Sequence, residues 1–124
     1  MESGGNMSDR DISEIWGQLQ SMSRVVTSDY ASLAVSSAAV DLSNATPALP
    51  ANAIGALITV EGDQVRFRSD GTAPTSAEGH LLNVDDVLSF VGANFREVLE
   101  TIQFIRVTGD ATLRITYFKD SEVG

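Results

Sequence analysis

The sequence contains no cysteine and a single histidine, His80. Without cysteine the chain can form no disulfide, no thiolate metal site and no cysteine nucleophile, and its synthesis fits a reducing cytoplasm. A zinc site or a Ser-His-Asp triad would depend on His80, and no second histidine is present to share a metal. We therefore expect His80 to be a surface residue, and we expect no catalytic residue, no metal and no cofactor.

Basic residues are also scarce. The chain has 8 Lys and Arg against 17 Asp and Glu, which gives a formal net charge of −9. So acidic a chain repels phosphate backbones and anionic lipid surfaces, which argues against direct contact with nucleic acid or a membrane. The sequence also lacks an apolar run long enough to cross a bilayer, and its first residues lack the features of a signal peptide.

No phosphate-binding motif of the GxGxxG or GxxxxGK[ST] type occurs. Asp85 and Asp86 are adjacent, so on a strand they would point to opposite faces rather than act as an acid–base pair. Asp70 with Thr72 and Thr75 offers too few oxygens for a calcium site. The remaining acidic candidates fall at turns, where aspartate bonds to nearby backbone N–H groups: Asp63, Asp70 and Asp110.

The chain does contain many short apolar runs separated by turn residues, which is typical of antiparallel sandwiches and barrels. The residues 61–63 and 108–110 each contain glycine and predict hairpins between the runs that they join. Segment 94–105 fits both a helix and a strand, and we predict a helical turn at 95–100 followed by a strand. We expect a mainly β protein, an antiparallel, jelly-roll-like β-sandwich, with strands within 30–43 and at 54–60, 64–68, 86–91, 101–107 and 111–118.

Residues 8–26 carry a helical period instead. One apolar stripe runs along them at spacings of three and four residues: Ile12, Ile15, Trp16, Leu19 and Met22. The stripe predicts an amphipathic helix or arm that packs on its own domain, on a sister subunit or on another protein. The expected organisation is a disordered start plus this arm over 1–29, the β-sandwich over 30–119 and a short C-terminal tail over 120–124.

Arginines alternate with apolar residues on two of the predicted strands. Val65 is expected to face inward and Arg66 and Arg68 outward, and the same alternation turns Arg114 outward on a strand expected to be a neighbour. Outward arginines either pair with carboxylates across strands or lie at a subunit interface. The aromatic side chains of the predicted strands are expected in the core: Phe67, Phe90, Phe104, Tyr117 and Phe118.

The order of these segments resembles that of small structural proteins of tailed bacteriophages. The shared outline is a strand with alternating arginine, a D-G-x-x-P-T turn, a glycine with paired apolar residues, an F-I strand and a last strand ending in aromatics. Here these are VRFRSDGTAPTSAEGHLL (65–82), QFI within 102–105 and ATLRITYF (111–118). The resemblance covers about residues 35–119. Segment 92–100 is longer than the usual link, and residues 8–26 lie outside the resemblance.

The resemblance implies a non-enzymatic virion protein, first of all a head decoration or cement protein. Such a protein would bind the major capsid protein or another virion protein, form a homo-oligomer (a trimer is expected) on the capsid surface, and be made in the cytoplasm of the host bacterium. A head–tail connector, tail or spike-base component is one alternative, and a carbohydrate-binding module on the virion is another. An enzyme is the least supported class. The candidate interface residues are Ile12, Ile15, Trp16, Leu19, Arg66, Arg68 and Arg114.

Overall fold

The structure, a computed structural model, describes residues 25–121. These residues form eight strands, a short 3-10 helix at Leu42–Asn44 and one α-helix, α1, at Arg96–Thr101. The expected mainly β protein is confirmed. The strands are β1 (Val25–Val35), β2 (Val40–Asp41), β3 (Gly55–Glu61), β4 (Val65–Arg68), β5 (His80–Leu82), β6 (Val87–Phe90), β7 (Gln103–Arg106) and β8 (Ala111–Asp120).

The strands form two antiparallel sheets of four strands each. Sheet A has the order β1-β8-β3-β6, and sheet B has the order β2-β7-β4-β5. Buried residues of both sheets belong to one hydrophobic cluster, so the arrangement is that of a β-sandwich. The pair β4–β5 is the one case among these strands in which consecutive strands are hydrogen-bonded neighbours.

The core follows the alternation of the strands. On β8, Leu113, Ile115 and Tyr117 point inward and are fully buried, and Val65 and Phe104 meet them from sheet B. Removing a large apolar side chain of this kind from water contributes about 1.5–3 kcal/mol. This cluster therefore supplies much of the force that holds the two sheets together.

The expected core aromatics are not all equally buried. Phe104 and Tyr117 are fully buried, and Phe67 and Phe90 are partly buried against the core. Phe118 is only half-buried and lies outside the core cluster. The prediction that Phe118 belongs to the core is wrong, because alternation on β8 turns Phe118 outward once Tyr117 points inward.

The two expected hairpins are a second correction. The turn at 61–63 joins β3 in sheet A to β4 in sheet B, and the turn at 108–110 joins β7 in sheet B to β8 in sheet A. Both turns cross between sheets, so neither closes a hairpin. A Cβ added to Gly62 would lie 3.1 Å from the carbonyl oxygen of Asp110, and one added to Gly109 would meet the carboxylate of Asp63. The two crossings therefore pack side by side, and glycine is favoured at position 62 by its φ of +94° as well as by this close approach.

The N-terminal boundary also differs from the expected one. β1 begins at Val25, so residues 25–26 of the predicted helix are strand, and the expected domain start at 30 falls inside β1. The strand has a register shift between Thr27 and Tyr30. Because the shift falls in a polar stretch, the alternation of apolar and polar residues does not indicate a strand there. Residues 8–24 of the predicted arm lie outside the described residues.

Segment 94–105 behaves as predicted, with small shifts of boundary. The helix α1 covers Arg96–Thr101, and β7 starts at Gln103 rather than at 101. Arg96 fastens this helix to the loop before β3, because its guanidinium donates to the carbonyl oxygens of Pro50 at 2.6 Å and Ala53 at 3.0 Å. Two strands are not predicted as separate elements: β5, at His80–Leu82, has only three residues, and β2, at Val40–Asp41, has two and falls in the range where one strand is expected.

Candidate functional site

The three arginines of the predicted interface lie on opposite faces of the protein. Arg66 and Arg68 belong to β4 in sheet B, whereas Arg114 belongs to β8 in sheet A. Each points outward, because the neighbouring Val65 and Leu113 are buried. The predicted outward direction is correct, but the expectation that the two strands are neighbours is wrong. The protein therefore has two separate outer surfaces to consider.

The outer face of sheet B, called here the B face, carries Arg66, Arg68, Leu81, Gln103 and Ile105. In the strand register Ile105 and Leu81 flank Arg66 on its two sides, and Gln103 lies beside Arg68. Side chains that are directly opposite on paired strands lie on the same face. Asp41 of β2 is opposite Gln103, so the B face is a mixture of two cations, one carboxylate, an amide and two apolar side chains.

Arg66 acts as a fastener for the loop between β4 and β5. Its Nε donates to the carbonyl oxygen of Ser76 at 3.0 Å, and its Nη1 donates to that of Gly79 at 3.0 Å. Gly79 has φ +136°, and a Cβ there would lie 3.0 Å from the carbonyl oxygen of Phe67. The loop therefore lies against its own strand. In the segment VRFRSDGTAPT, Arg66 is occupied by the fold itself.

Arg68 is held by the first turn of the same loop. Its Nη2 lies 2.5 Å from Asp70 Oδ2, and its Nε donates to Asp70 Oδ1 at 3.1 Å. Asp70 also accepts from the backbone N–H of Thr72 at 3.3 Å. The hydrogen bond from Arg68 and then that from Thr72 lower the pKa of Asp70 to about 2, and the pair raises the pKa of Arg68. Both partners are exposed to solvent, which screens their attraction.

A cleft of about 410 Å³ opens beside this ion pair. Its lining includes Arg68, Ser69, Asp70, Glu78 and His80. The His80 ring packs on Phe67 with 5.1 Å between ring centroids, and the prediction of a surface histidine is confirmed by its exposure. A catalytic triad needs one hydrogen bond from the histidine to the serine and one to a carboxylate. Within residues 25–121, His80 makes neither bond, to Ser69 or to a carboxylate.

Most of the other carboxylates serve turns or ion pairs. Asp63 accepts from the N–H of Gln64 at 2.7 Å, and Asp110 lies 2.5 Å from Arg106. Asp85 and Asp86 precede β6 instead of lying on a strand: Asp85 has φ +73°, and Asp86 accepts from the N–H of Asn83 at 2.7 Å. Over the described part of the chain, no three His, Asp or Glu side chains are grouped to hold a metal ion.

The outer face of sheet A, called here the A face, differs in character from the B face. Phe118 and Asp120 point outward near the end of β8, and beyond them the strand register gives this face three rows that run across the sheet. The first row is Tyr30, Thr116, Leu57 and Ser89. The second is Ser32, Arg114, Thr59 and Val87. The third is Ala34, Thr112 and Glu61. Large apolar side chains are exposed in it, at 59% for Tyr30, 58% for Val87 and 36% for Leu57.

Charge within the three rows of the A face is balanced. Arg114 Nε donates to Glu61 Oε1 at 3.1 Å. Glu61, and after it Tyr30, raise the pKa of Arg114. These two ions are the charged members of the three rows, so the rows have no net charge on a chain of net charge −9. A neutral surface with exposed apolar side chains has the character of an interface core, from which charged residues are depleted.

The A face is the feature that interpretation of the sequence missed. A signal for it exists in β3, where the run IGALITV is apolar at nearly every position. Such a run is typical of a strand that is covered on both faces. Four of the expected interface residues, Ile12, Ile15, Trp16 and Leu19, lie outside the described residues, whereas Arg66, Arg68 and Arg114 are placed as above.

Comparison of the chain with protein-family models, with curated proteins and with solved structures gave no match. In residues 25–121 no helix has the length and apolar character needed to cross a membrane.

Proposed function

We propose that this chain is a non-enzymatic structural protein of a tailed-phage virion, namely a capsid decoration protein that bridges capsomers as a homo-oligomer. The observation that carries the proposal is the strand order, β1-β8-β3-β6 facing β2-β7-β4-β5. The chain changes sheet at every connection except that from β4 to β5. We propose that this is a jelly roll, since eight-stranded double-sheet jelly rolls are used in viral capsid and lectin domains.

A second line of support comes from how the polar side chains are used. Arg66 and Arg96 hold loops, and Arg68 and Arg114 are paired with local carboxylates. Charged groups committed in this way make a rigid scaffold, and a scaffold that grips its neighbours needs no reactive group. Because one fold serves many functions, the proposal also depends on the sequence resemblance to phage structural proteins.

The proposed partners are the major capsid protein or another virion protein, together with further copies of this chain. Closed symmetry is the usual form of a homo-oligomer, and we propose a trimer. The net charge of −9 suits a protein on the outside of the head, because it repels the phosphate backbone of the packaged genome. The B face, where Leu81 and Ile105 flank Arg66, is the proposed contact with a neighbour.

The carbohydrate-binding alternative receives less support. A sugar site on a sandwich uses aromatic rings that converge with polar side chains, as stacking platforms. Among residues 25–121, Tyr30 is the aromatic side chain with large exposure. A single ring beside one ion pair is a small platform, so we rank this function below the structural one.

The copy number per virion tests the proposal. Purified phage particles are digested, and this chain is quantified against the major capsid protein by mass spectrometry with labelled peptides from the β-domain. A decoration protein is expected in numbers comparable with the capsid protein. A small fixed number per particle would assign the chain to a connector, tail or spike base, and absence from particles would overturn a virion role.

A further inference from the structure

The A face is bare in the described part of the chain, and the segment that precedes β1 carries the complementary surface. We propose that residues 8–22 fold back within the same chain and lay their apolar stripe on the A face, over Tyr30, Leu57 and Val87. This inference rests on the geometry of the sheet and on the sequence of the segment. It does not depend on the proposed virion role.

The central strand of sheet A indicates that its outer face is covered. Ala56 and Ile58 on β3 are fully buried on the inner face, and Leu57 between them points outward with 36% of its surface exposed. β3 has neighbours on both sides, β8 and β6, so Leu57 sits in the interior of the sheet. An outward leucine on an interior strand exposes apolar surface that a covering segment would remove from water, at about 25 cal/mol per Å².

The composition of the segment matches this face. The stripe of residues 8–22 has no charged member, and the three rows of the A face have only the Arg114–Glu61 pair, whose charges cancel. In a helix, Arg10 and Glu14 would fall opposite the stripe, and Asp9 and Asp11 at its edges. With the stripe on the sheet, Arg10 and Glu14 would face solvent, as on a surface helix that packs on a core.

The lengths also match. The chain joins sheet A at Val25, the first residue of its edge strand β1, with only two residues between Val25 and Met22. Four strands with three spacings of about 4.8 Å give a sheet about 14 Å wide. The helix predicted by the period of residues 8–22 would be about 22 Å long. It is therefore long enough to cross the width of the sheet, and because Tyr30 lies five residues along β1 from Val25, the helix would run obliquely over the face toward Val87.

The short tether selects the chain's own face over that of a second copy. Ser23 and Arg24 are the whole connection between the stripe and β1. For a segment on so short a link, the effective concentration of the A face of its own chain is in the millimolar range. The A face of a second copy is present only at the protein concentration, so it competes poorly. We therefore commit to packing within one chain.

Trp16 is the only tryptophan of the chain, so its fluorescence reports the stripe directly. The experiment uses the full chain and measures the Trp16 emission maximum and acrylamide quenching. Packing on the A face predicts a short-wavelength maximum and weak quenching, both independent of protein concentration. In Val87→Glu and Leu57→Glu the maximum is expected to shift to longer wavelength, and quenching is expected to increase.

The matched control is Leu81→Glu, which places the same charge on an exposed apolar residue of the B face. It is expected to leave Trp16 emission unchanged. Far-ultraviolet circular dichroism checks that each variant is folded. Because Leu57 is on an interior strand, Leu57→Glu could fail to fold, and Val87→Glu on the edge strand β6 then decides the question.

Three results would overturn the proposal. A wild-type Trp16 that is quenched as freely as tryptophan in solution would show that the segment is not packed. Emission that Val87→Glu leaves unchanged in a folded protein would place the segment elsewhere. Emission that shifts with concentration, in step with an oligomerisation seen by sedimentation, would mean that copies exchange their segments. The fluorescence assay involves no virion, so its failure is distinguishable from failure of the proposed function.

Discussion

The guanidinium of Arg66 and the carbonyl oxygen of Gly79 are joined by a hydrogen bond of 3.0 Å across thirteen residues of sequence. With the second bond, to Ser76, it closes the loop between β4 and β5 onto the strand from which the loop departs. The first turn of the loop has its own ties, the Arg68–Asp70 pair and the bond from the Thr101 hydroxyl to Ser69. Arg66 is therefore the main link between the later part of the loop, residues 75–79, and sheet B.

Arg66→Gln is expected to loosen that loop while the sandwich stays folded. The variant loses two charge-assisted hydrogen bonds at a partly exposed site, so the free energy of unfolding should fall by about 1–2 kcal/mol. Amide exchange at Thr75 and Glu78 should become faster. Arg114→Gln, which breaks an exposed ion pair on the A face, is the control and should leave these amides unchanged. Equal exchange in both variants would contradict the role assigned to Arg66.

Asp70 is expected to titrate far below an ordinary aspartate. NMR titration of its side-chain carboxyl should give a pKa of about 2 against an ordinary value of 3.8, and Arg68→Gln should move it back toward 3.8. A pKa lowered by folding contributes stability above the unfolded value, and the contribution disappears as the pH falls through about 2. Salt should weaken the effect, because both groups are exposed. An Asp70 that titrates near 3.8 in the wild type would refute the ion pair.

Two neighbouring phenylalanines should differ in their importance for stability. Phe104 is fully buried, and its ring lies 6.2 Å from the ring of the partly buried Phe67. Phe104→Ala should lower the free energy of unfolding by about 3–5 kcal/mol, the range for a buried phenylalanine. Phe67→Ala should cost clearly less, because part of its ring is already in solvent. Chemical denaturation of both variants measures the difference, and a larger loss in Phe67→Ala would reverse the assigned burial.

Tyr117 carries a hydroxyl that is buried without a hydrogen-bond partner in residues 25–121. Tyr117→Phe removes this unsatisfied group and keeps the ring, so it should leave stability unchanged or raise it by up to about 1 kcal/mol. Burial, and after it the charge of Asp29, raise the pKa of Tyr117 to about 12 from 10.0. The unfolded chain therefore ionises first, and wild-type stability should decline between these pH values by a component that Tyr117→Phe lacks. A loss above about 1 kcal/mol in Tyr117→Phe would mean that the hydroxyl has a partner.

Alternation along the strands predicts which way a side chain points, and it succeeds here for Val65, Arg66 and Arg114. It does not predict which sheet a strand joins. The glycine turns at 61–63 and 108–110 look like hairpins because a short turn between two strand-like runs has the same sequence whether it pairs them or crosses a sandwich. For this reason the sequence predicts Arg114 on a strand beside that of Arg66, although β8 and β4 belong to different sheets.

The elements that were missed are those with weak or interrupted patterns. β5 has three residues, too few for alternation to register, and the first half of β1 contains a register shift. The A face is not predicted for a different reason. Leu57 lies within an apolar run, and such a run does not indicate which of its residues face the core. The strand register brings Tyr30, Leu57 and Val87 onto one surface, and the register cannot be predicted from the sequence pattern.

The central claim is that this chain is distributed over the phage head. Electron microscopy of virions that carry a gold-labelled copy tests it most directly, with the label attached at the C-terminal end and particles without the tagged copy as the control. The account predicts label spread over the whole head surface. Label at a single vertex or on the tail would contradict the decoration role, and particles without any label would contradict a place in the virion.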